Sequence, residues 1–375
     1  MMNYLDNETA KLGFGLMRLP RIDGDIDIEQ VKEMVDLFLE RGFVYFDTAY
    51  GYEGSEDAIK RALVDRYPRS SYLLATKLPA WNAPSKKDAE KMFYTSLERT
   101  QAGYFDYYLL HNLGAHRTAY FDEYGIWDFL SKRKEEGLIK HLGFSMHDKA
   151  TLLKRILAEH PEMEFVQLQL NYADWENPRV EARLCYEVAR EHNIPIIAME
   201  PVKGGDLTIL PPKAVELFTH ADQEASLASW AIRFTASLKG VPVVLSGMSN
   251  LEQMRDNLNF MANLRPLDAS EMAVIEQVRT EIDKVPTVPC TACDYCLPEC
   301  PQTINIPGIF EALNKYLRYH NAGTARFTYR WNTDGHKMGR ASQCSECGSC
   351  EEVCTQQIDI IDELKRAREL LEDPA

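Results

Sequence analysis

The sequence predicts an α/β protein, a (β/α)8 TIM-type barrel followed by a smaller, mainly helical, cysteine-rich domain. Three observations carry that prediction. Apolar runs of strand length alternate eight times with stretches of helix length between Leu12 and Ala262. The early strand ends that carry polar residues lie about 30 residues apart, the length of one strand–helix unit. Eight of the nine cysteines fall after residue 289, in two runs of matching spacing.

Taken in order, Leu12 to Leu19 reads as the first strand and about 27–41 as the first helix. Further strands are expected at 43–47, 72–77, 106–111, 140–145, 165–170, 194–199 and 241–246, and further helices at 54–66, 86–102, 121–137, 149–159, 178–192, near 223–237 and at 250–262. Several strands are continuous apolar runs, such as Ile194-Pro195-Ile196-Ile197-Ala198, as burial on both faces of a parallel sheet requires. A doubly wound sheet would alternate in the same way. The count of eight favours the barrel, as does the lack of a third glycine after Gly13-Phe14-Gly15, which lies within the strand. One more helix, 267–284, starts at Asp268 or Ser270 as cap and is stopped by Pro286 and Pro289. The domains are therefore expected to be 1–284 and 285–375.

Composition narrows the function. The 375 residues are 45% hydrophobic with 20 glycines and 18 prolines, a globular balance. A formal charge of −15 argues against nucleic acid or an anionic membrane as partner. No apolar run approaches 18 residues and Met1-Met2-Asn3 does not start a signal peptide, so a cytoplasmic protein is expected. Clustered rather than dispersed cysteines fit a reducing compartment, with Cys185, alone in a helical segment, as a packing residue.

Polar residues end three successive strands. Asp47 closes Val44-Tyr45-Phe46-Asp47, with Tyr52 five residues on; Lys77 closes the second run and His111 the third. In a (β/α)8 barrel such ends converge on one face, where active sites lie. Asp-Thr after a strand is by itself more often a turn or cap. A lysine ending an apolar strand is costly to bury unless paired, and Asp47 is the expected partner. Free tyrosine has a pKa of about 10. An ammonium beside it favours the phenolate, which would tune Tyr52 toward proton transfer.

Asp47, Tyr52, Lys77 and His111, in this order and on these strands, resemble the tetrad of the aldo-keto reductases. The resemblance implies hydride transfer between a nicotinamide (NADH or NADPH) and a carbonyl carbon, with Tyr52 protonating the oxygen and His111 orienting it. It also implies that Ser145 and Gln167 hold the nicotinamide amide and that Asn257 lies near the adenine. Three positions depart from the family pattern. Met146 replaces an asparagine, Met199 a stacking tyrosine, and Gly247 and Gln253 the lysine and arginine of NADPH-selective members. Losing two cations removes charge-assisted bonds to a phosphate, so at most a weak preference for NADPH is expected. Another redox cofactor such as a flavin stays open.

The run Cys290-x2-Cys293-x2-Cys296-x3-Cys300-Pro301 has the spacing of a [4Fe–4S] ligand set. Cys344, Cys347, Cys350 and Cys354 repeat it, with Thr355 in the proline place. Zinc would ask for paired knuckles. As in two-cluster ferredoxins, the fourth cysteine of each run is expected to cross over. That groups Cys290, Cys293, Cys296 and Cys354 round one cluster, and Cys344, Cys347, Cys350 and Cys300 round the other. With amphipathic stretches at 309–319 and 360–371, the region looks like a helical ferredoxin-type electron-transfer module.

Between the runs, 315–340 holds six basic residues against Asp334, with Phe327, Tyr329 and Trp331 interleaved. Basic plus aromatic suggests RNA; docking on the acidic barrel or beside the clusters is the preferred reading. Loop aromatics Trp81, Tyr120, Phe121, Tyr124, Trp127, Tyr172 and Trp175 either line a substrate pocket or pack their loops.

The expected function is that of an aldo-keto-reductase-type oxidoreductase acting on a small carbonyl or alcohol, fused to a two-cluster domain serving a soluble electron carrier. The alternative is an iron–sulfur electron-transfer or interaction protein whose barrel is a scaffold or holds a flavin. A hydride carries two electrons and each cluster one, so a link between the halves needs more than contact.

Overall fold

A computed structural model describes residues 11–372; residues 1–10, including the start read as lacking a signal peptide, and residues 373–375 lie outside it. Eight strands close into an all-parallel barrel. They are β1 (Leu12–Gly15), β4 (Tyr45–Asp47), β5 (Leu73–Leu78), β6 (Phe105–Leu113), β7 (Ile139–Met146), β8 (Phe165–Gln169), β9 (Ile196–Met199) and β10 (Val243–Ser246). Each pairs with its sequence neighbour, and β1 pairs with β10 to close the ring. The short strands β2 (Arg21–Ile22) and β3 (Asp25–Ile26) form a separate antiparallel ribbon that the sequence pattern did not announce.

The continuous apolar runs are explained by two buried surfaces. Tyr45, Ala75, Tyr107, Leu109, Phe165, Ile197, Val243 and Leu245 form one cluster, while Phe46, Tyr108, Leu110, Val166, Ala198 and Val244, each one residue on, pack in the larger core with the helices. The bulk of the first cluster dictates two glycines. A Cβ on Gly13 would lie 2.7 Å from Leu245, and one on Gly143 would lie 2.4 Å from the Phe165 carbonyl oxygen. Gly13 thus serves packing inside the barrel, not a phosphate.

Around the barrel, α1 (Ile28–Glu40) buries Ile28, Val31, Met34, Val35 and Phe38, one helical face, and starts where Asp27 accepts from the Gln30 N–H. Next come α2 (Ser55–Ile59), α3 (Lys86–Thr100), α4 (Thr118–Glu123) and α5 (Ile126–Glu135). After them stand α6 (Ala150–Glu159), α7 (Ala182–Glu191), α9 (Leu227–Ala236) and α10 (Leu251–Met261), while α8 (Pro212–Ala221) and most of α11 (Ala269–Asp283) belong to the second unit. The single helix expected at 121–137 is two, because Gly125 takes φ +61° between α4 and α5. The first strand ends at Gly15, and Leu16–Arg18 turns as a 3-10 segment.

The chain forms two compact units: the described parts of Met1–Val202 with Ala228–Met272, and of Lys203–Leu227 with Ala273–Ala375. The first holds the barrel. In the second, α12 (Ile306–Tyr319) packs its face of Ile306, Ile309, Phe310 and Leu313 with Ile360, Leu364 and Leu371 of α15 (Ile360–Leu371) and with Ala325 and Tyr329 of α13 (Ala322–Asn332). The short α14 (Ser349–Glu352) completes it. The turn Lys203–Thr208 joins this unit through Asp206, which is fully buried. Its carboxylate accepts from Thr324 Oγ1 and lies 3.3 Å from Lys315 Nζ. Among the described residues, no helix is long and apolar enough to cross a membrane.

Candidate active site and cysteine cavities

The parallel register brings the four predicted residues together at the carboxyl ends of β4, β5 and β6. Lys77 is 1% exposed and Asp47 3%. Lys77 Nζ donates to Asp47 Oδ1 at 2.5 Å and to the Thr48 carbonyl at 2.7 Å, and Asp47 Oδ2 accepts from Gln167 Nε2 at 3.3 Å. The loop after β4 returns half-buried Tyr52, so that Lys77 Nζ lies 5.0 Å from its ring centroid. The rings of Tyr52 and His111 meet edge-on at 5.9 Å.

Burial sets the protonation chemistry. It pushes the Asp47 carboxyl up, with Lys77 pulling the other way. On Lys77 burial pulls down, yet the charges of Asp47 and Tyr52 hold it above its ordinary value, so the lysine is an ammonium. The Tyr52 phenol is raised by burial; Lys77 lowers it, while Asp47 and Glu200 add to the rise. The expected effect of Lys77 is present in sign but outweighed. Its charge is shared with Asp47, and a buried phenolate lacks water. His111 is held well below its ordinary value by burial first and then by Lys77, His147 and Arg117, which makes it a neutral imidazole. Its Nδ1 is buried and has no hydrogen-bond partner among the described residues.

His111 is aimed by an irregularity that sequence reasoning missed. The β6–β7 register shifts between Leu110 and Leu113, and Asn112 takes φ +59°. Such bulges re-aim side chains beside active sites. Here the bulge is fastened three ways. The Asn112 N–H donates to Ser145 Oγ at 2.8 Å, Arg117 donates to Asn112 Oδ1 at 2.9 Å, and Trp81 Nε1 donates to the His111 carbonyl at 3.0 Å. The only signal for Asn112 was its tolerance of left-handed backbone. Glu200, just past the end of β9 with φ +54°, was missed as well, although it is another carboxylate at a strand end.

The residues matched to cofactor binding follow on the ends of β7 to β10 and on α10. Ser145 and Gln167 are buried and already engaged as above, and Met199 is half-buried. Asn257 donates to Ser246 Oγ at 3.2 Å, and its Oδ1 is buried without a partner. Gly247 is exposed. Gln253 serves the start of α10: its N–H donates to Asn250 Oδ1 at 2.9 Å and its Oε1 accepts from the Ser249 N–H at 2.8 Å. An orphaned buried oxygen and a rim of small or polar residues beside a helix N-terminus fit a nucleotide.

In the second unit, the cysteines of the two runs mix. Cys290, Cys293, Cys296 and Cys354 line one partly open cavity with Pro307, Phe310 and Ile358. Cys300, Cys344, Cys347 and Cys350 line another with Ile304, Ile361 and Leu364. Ile306 borders both. Among the described residues, none of the nine cysteines is in a disulfide. Burial pushes Cys296 up to about 12 and Cys350 up to about 11, whereas backbone N–H groups at Tyr295 and Ser349 lower Cys293 and Cys347. Thiols crowded round an apolar void need a cationic centre to ionise together, and the donor set fits iron–sulfur clusters.

Comparison with known proteins agrees. The model of the aldo/keto reductase family matches residues 11–280, and that of a 4Fe-4S dicluster domain matches 289–359. An aldo-keto reductase of Mycolicibacterium vanbaalenii is 29% identical over 272 residues, covering 72% of this chain and 88% of its own. The methylglyoxal reductase DkgA of Escherichia coli O157:H7 is 28% identical over 217 residues, 56% of this chain and 69% of its own. Among solved structures, the holo form of an aldo-keto reductase from Bacillus halodurans superposes with a TM-score of 0.58 at 24% identity, over 72% of this chain and 91% of its own. One from Klebsiella pneumoniae in complex with NADPH gives 0.57 at 20%, over 72% and 90%.

Proposed function

The chain belongs to the aldo/keto reductase family, and from that premise we propose that its barrel interconverts a small carbonyl compound and its alcohol, with Tyr52 carrying the proton. The observation that carries the reading is the buried Lys77–Asp47 pair beside Tyr52, with neutral His111 at the ring edge. A scaffold has no use for a buried ammonium, whose removal from water costs several kcal/mol, of order, before pairing. In reduction the phenol gives its proton to the developing alkoxide. Lys77 offsets the negative charge left on the phenol, and His111, having no charge, donates a hydrogen bond that orients the oxygen without competing as an acid. Asp47 keeps Lys77 charged and in place.

A nicotinamide, when bound, supplies or accepts the hydride. Ser145, Gln167, Met199 and Asn257 would hold it, and Gly247 and Gln253 bring no cation to a 2′-phosphate, so NADH and NADPH should be taken with similar affinity. Two [4Fe–4S] clusters would occupy the cysteine cavities in the crossed grouping described above. They would exchange single electrons with a soluble carrier in a reducing, cytoplasmic setting.

Replacing Tyr52 by Phe tests the mechanism. Carbonyl turnover should fall about 10²–10⁴-fold while nucleotide affinity, read by fluorescence titration, stays within about twofold. Near wild-type turnover in that variant would remove Tyr52 as the proton carrier.

A further inference from the structure

The outer face of α13 is left unused by everything described so far. Its inner face holds Ala325 and Tyr329 in the core of the second unit. Its outer face shows Phe327 at 57% and Trp331 at 41% exposure, one helical turn apart, with Arg330 between them. In a chain of net charge −15, the stretch 322–340 carries four basic residues (Arg326, Arg330, Lys337, Arg340) and a single acid, Asp334. That acid is bonded through both oxygens to Arg340, and Arg330 and Lys337 are exposed on the same stretch.

Trp331 is held in place. It meets the His336 ring edge-on at 5.3 Å, its carbonyl is 2.8 Å from His336 Nδ1, and Gly335 lies so close that a Cβ there would be 3.4 Å from the indole. A held tryptophan, one residue from an exposed arginine and one helical turn from a second exposed aromatic, has the composition of an interface anchor.

This face also lies a short step from the cysteine cavities. Asn332, next after Trp331, accepts at its carbonyl from Asn305 Nδ2 at 2.8 Å and donates to the Gly308 carbonyl at 2.9 Å. Asn305 immediately precedes Ile306, the side chain that borders both cavities. The Gly339 N–H bonds the Thr303 carbonyl at 2.9 Å, so the turn after α13 rests on the chain leaving Cys300.

We propose that this face, centred on Phe327, Arg330, Trp331 and Lys337, is the docking surface for a small acidic one-electron carrier protein. The proposal rests on the reading that the cavities hold iron–sulfur clusters. Charge chooses the occupant: a basic aromatic patch on an acidic protein attracts an acidic partner and orients it, while the rest of the surface repels it. One electron passes from the reduced carrier to a cluster, the carrier being oxidised and the cluster reduced by one, and no covalent bond changes.

The test uses the full-length, cluster-loaded protein under anaerobic conditions. A small acidic flavodoxin, fully reduced, is mixed with it in a stopped-flow instrument, and bleaching of the cluster absorbance is followed. Wild-type clusters should bleach in a bimolecular phase that slows as salt rises. Arg330→Glu with Lys337→Glu, and separately Phe327→Ala with Trp331→Ala, should slow that phase about tenfold or more. Dithionite, which needs no docking, should bleach all three proteins alike, and carbonyl turnover should not change.

Wild-type clusters that stay oxidised with the flavodoxin, or variant rates equal to that of the wild type, overturn the docking surface while leaving the clusters standing. Purified protein without cluster absorbance fails at the earlier reading and takes the proposal with it. If the charge variants lose only binding of a uridine oligonucleotide, or only self-association, the face belongs to RNA or to a second copy, and the proposal falls.

Discussion

At Tyr52 the fold sets two neighbouring charge states by different means. Lys77 stays an ammonium because Asp47 is buried with it, and His111 stays neutral because it is buried near Lys77 with no carboxylate to charge it. The sign follows directly. With its pKa held well below the ordinary 6.5, the imidazole binds no proton until the medium is far more acidic than that. The kcat/KM for carbonyl reduction should therefore remain flat as pH falls from about 7 to about 6, across the free imidazole value. An acidic limb centred near 6.5 that disappears in His111→Gln would show that the ring is charged there. The gathering of Asp47, Lys77 and His111 was legible because they lie toward strand ends and a barrel brings strand ends together, with Tyr52 on the loop that follows Asp47. The means by which the residues are tuned was not. Whether burial or Lys77 decides the state of Tyr52 depends on depth, and depth has no sequence signal. Glu200 acts on the phenol across the barrel mouth from a strand end 148 residues away in sequence, 200 against 52.

Strands were easier to read than their fastenings. The eight barrel strands showed as apolar runs because both faces are buried, but the groups that pin their starts are polar and look like surface. Glu164, just before β8, accepts from the Leu142 N–H at 3.0 Å, contacts His141 Nδ1 at 3.0 Å and is bonded by Lys134. Burial pushes this carboxyl up, yet those bonds outweigh it and hold it at about 2, against an ordinary 4.5. A carboxylate with a depressed pKa stabilises the fold fully above the unfolded value, and that contribution is lost as pH falls from 4.5 toward 2. Discounted for its one-third exposure, it is worth about 1–2 kcal/mol. Glu164→Gln should accordingly lower Tm at pH 7 and match the wild type near pH 2; an equal deficit at both would mean the charge is irrelevant. Helix α13 escaped notice for a related reason. Gly323, Thr324 and Thr328 have low helix propensity, and its apolar stripe is reduced to Ala325 and Tyr329. What makes it a helix is tertiary: the Asn321 cap on the Thr324 N–H and packing against α12 and α15.

For the whole molecule the division of stability between the two units matters most. The core of the second unit is built round its cavities: Cys296 and Cys350 are members of it, and Ile306, Phe310, Ile360 and Leu364 serve both as core and as cavity wall. Because the same side chains are both core and cavity wall, the packing of the unit depends on what fills those cavities. Iron–sulfur clusters filling them would therefore act as core, and their loss should unfold this unit. The unit includes Lys203–Leu227, a segment that the strand–helix count assigns to the barrel between β9 and α9. Sequence order could not reveal this, because the attachment is one buried carboxylate, Asp206, meeting Lys315 and Thr324 more than 100 residues on. Anaerobic iron chelation, or Cys293→Ser, should thus abolish amide-exchange protection in α12, α15 and the turn at Asp206 together. Protection of β4 to β8 should persist. Cys185, buried in the first unit and pushed up to about 12 by burial, should resist alkylation before and after and report that the barrel is intact. If α12 kept its protection without iron, the cavities would be tolerated voids. If the Asp206 turn alone kept it, the segment would belong to the barrel after all, and cluster loss would have no chain segment by which to disturb the strand end that carries Glu200.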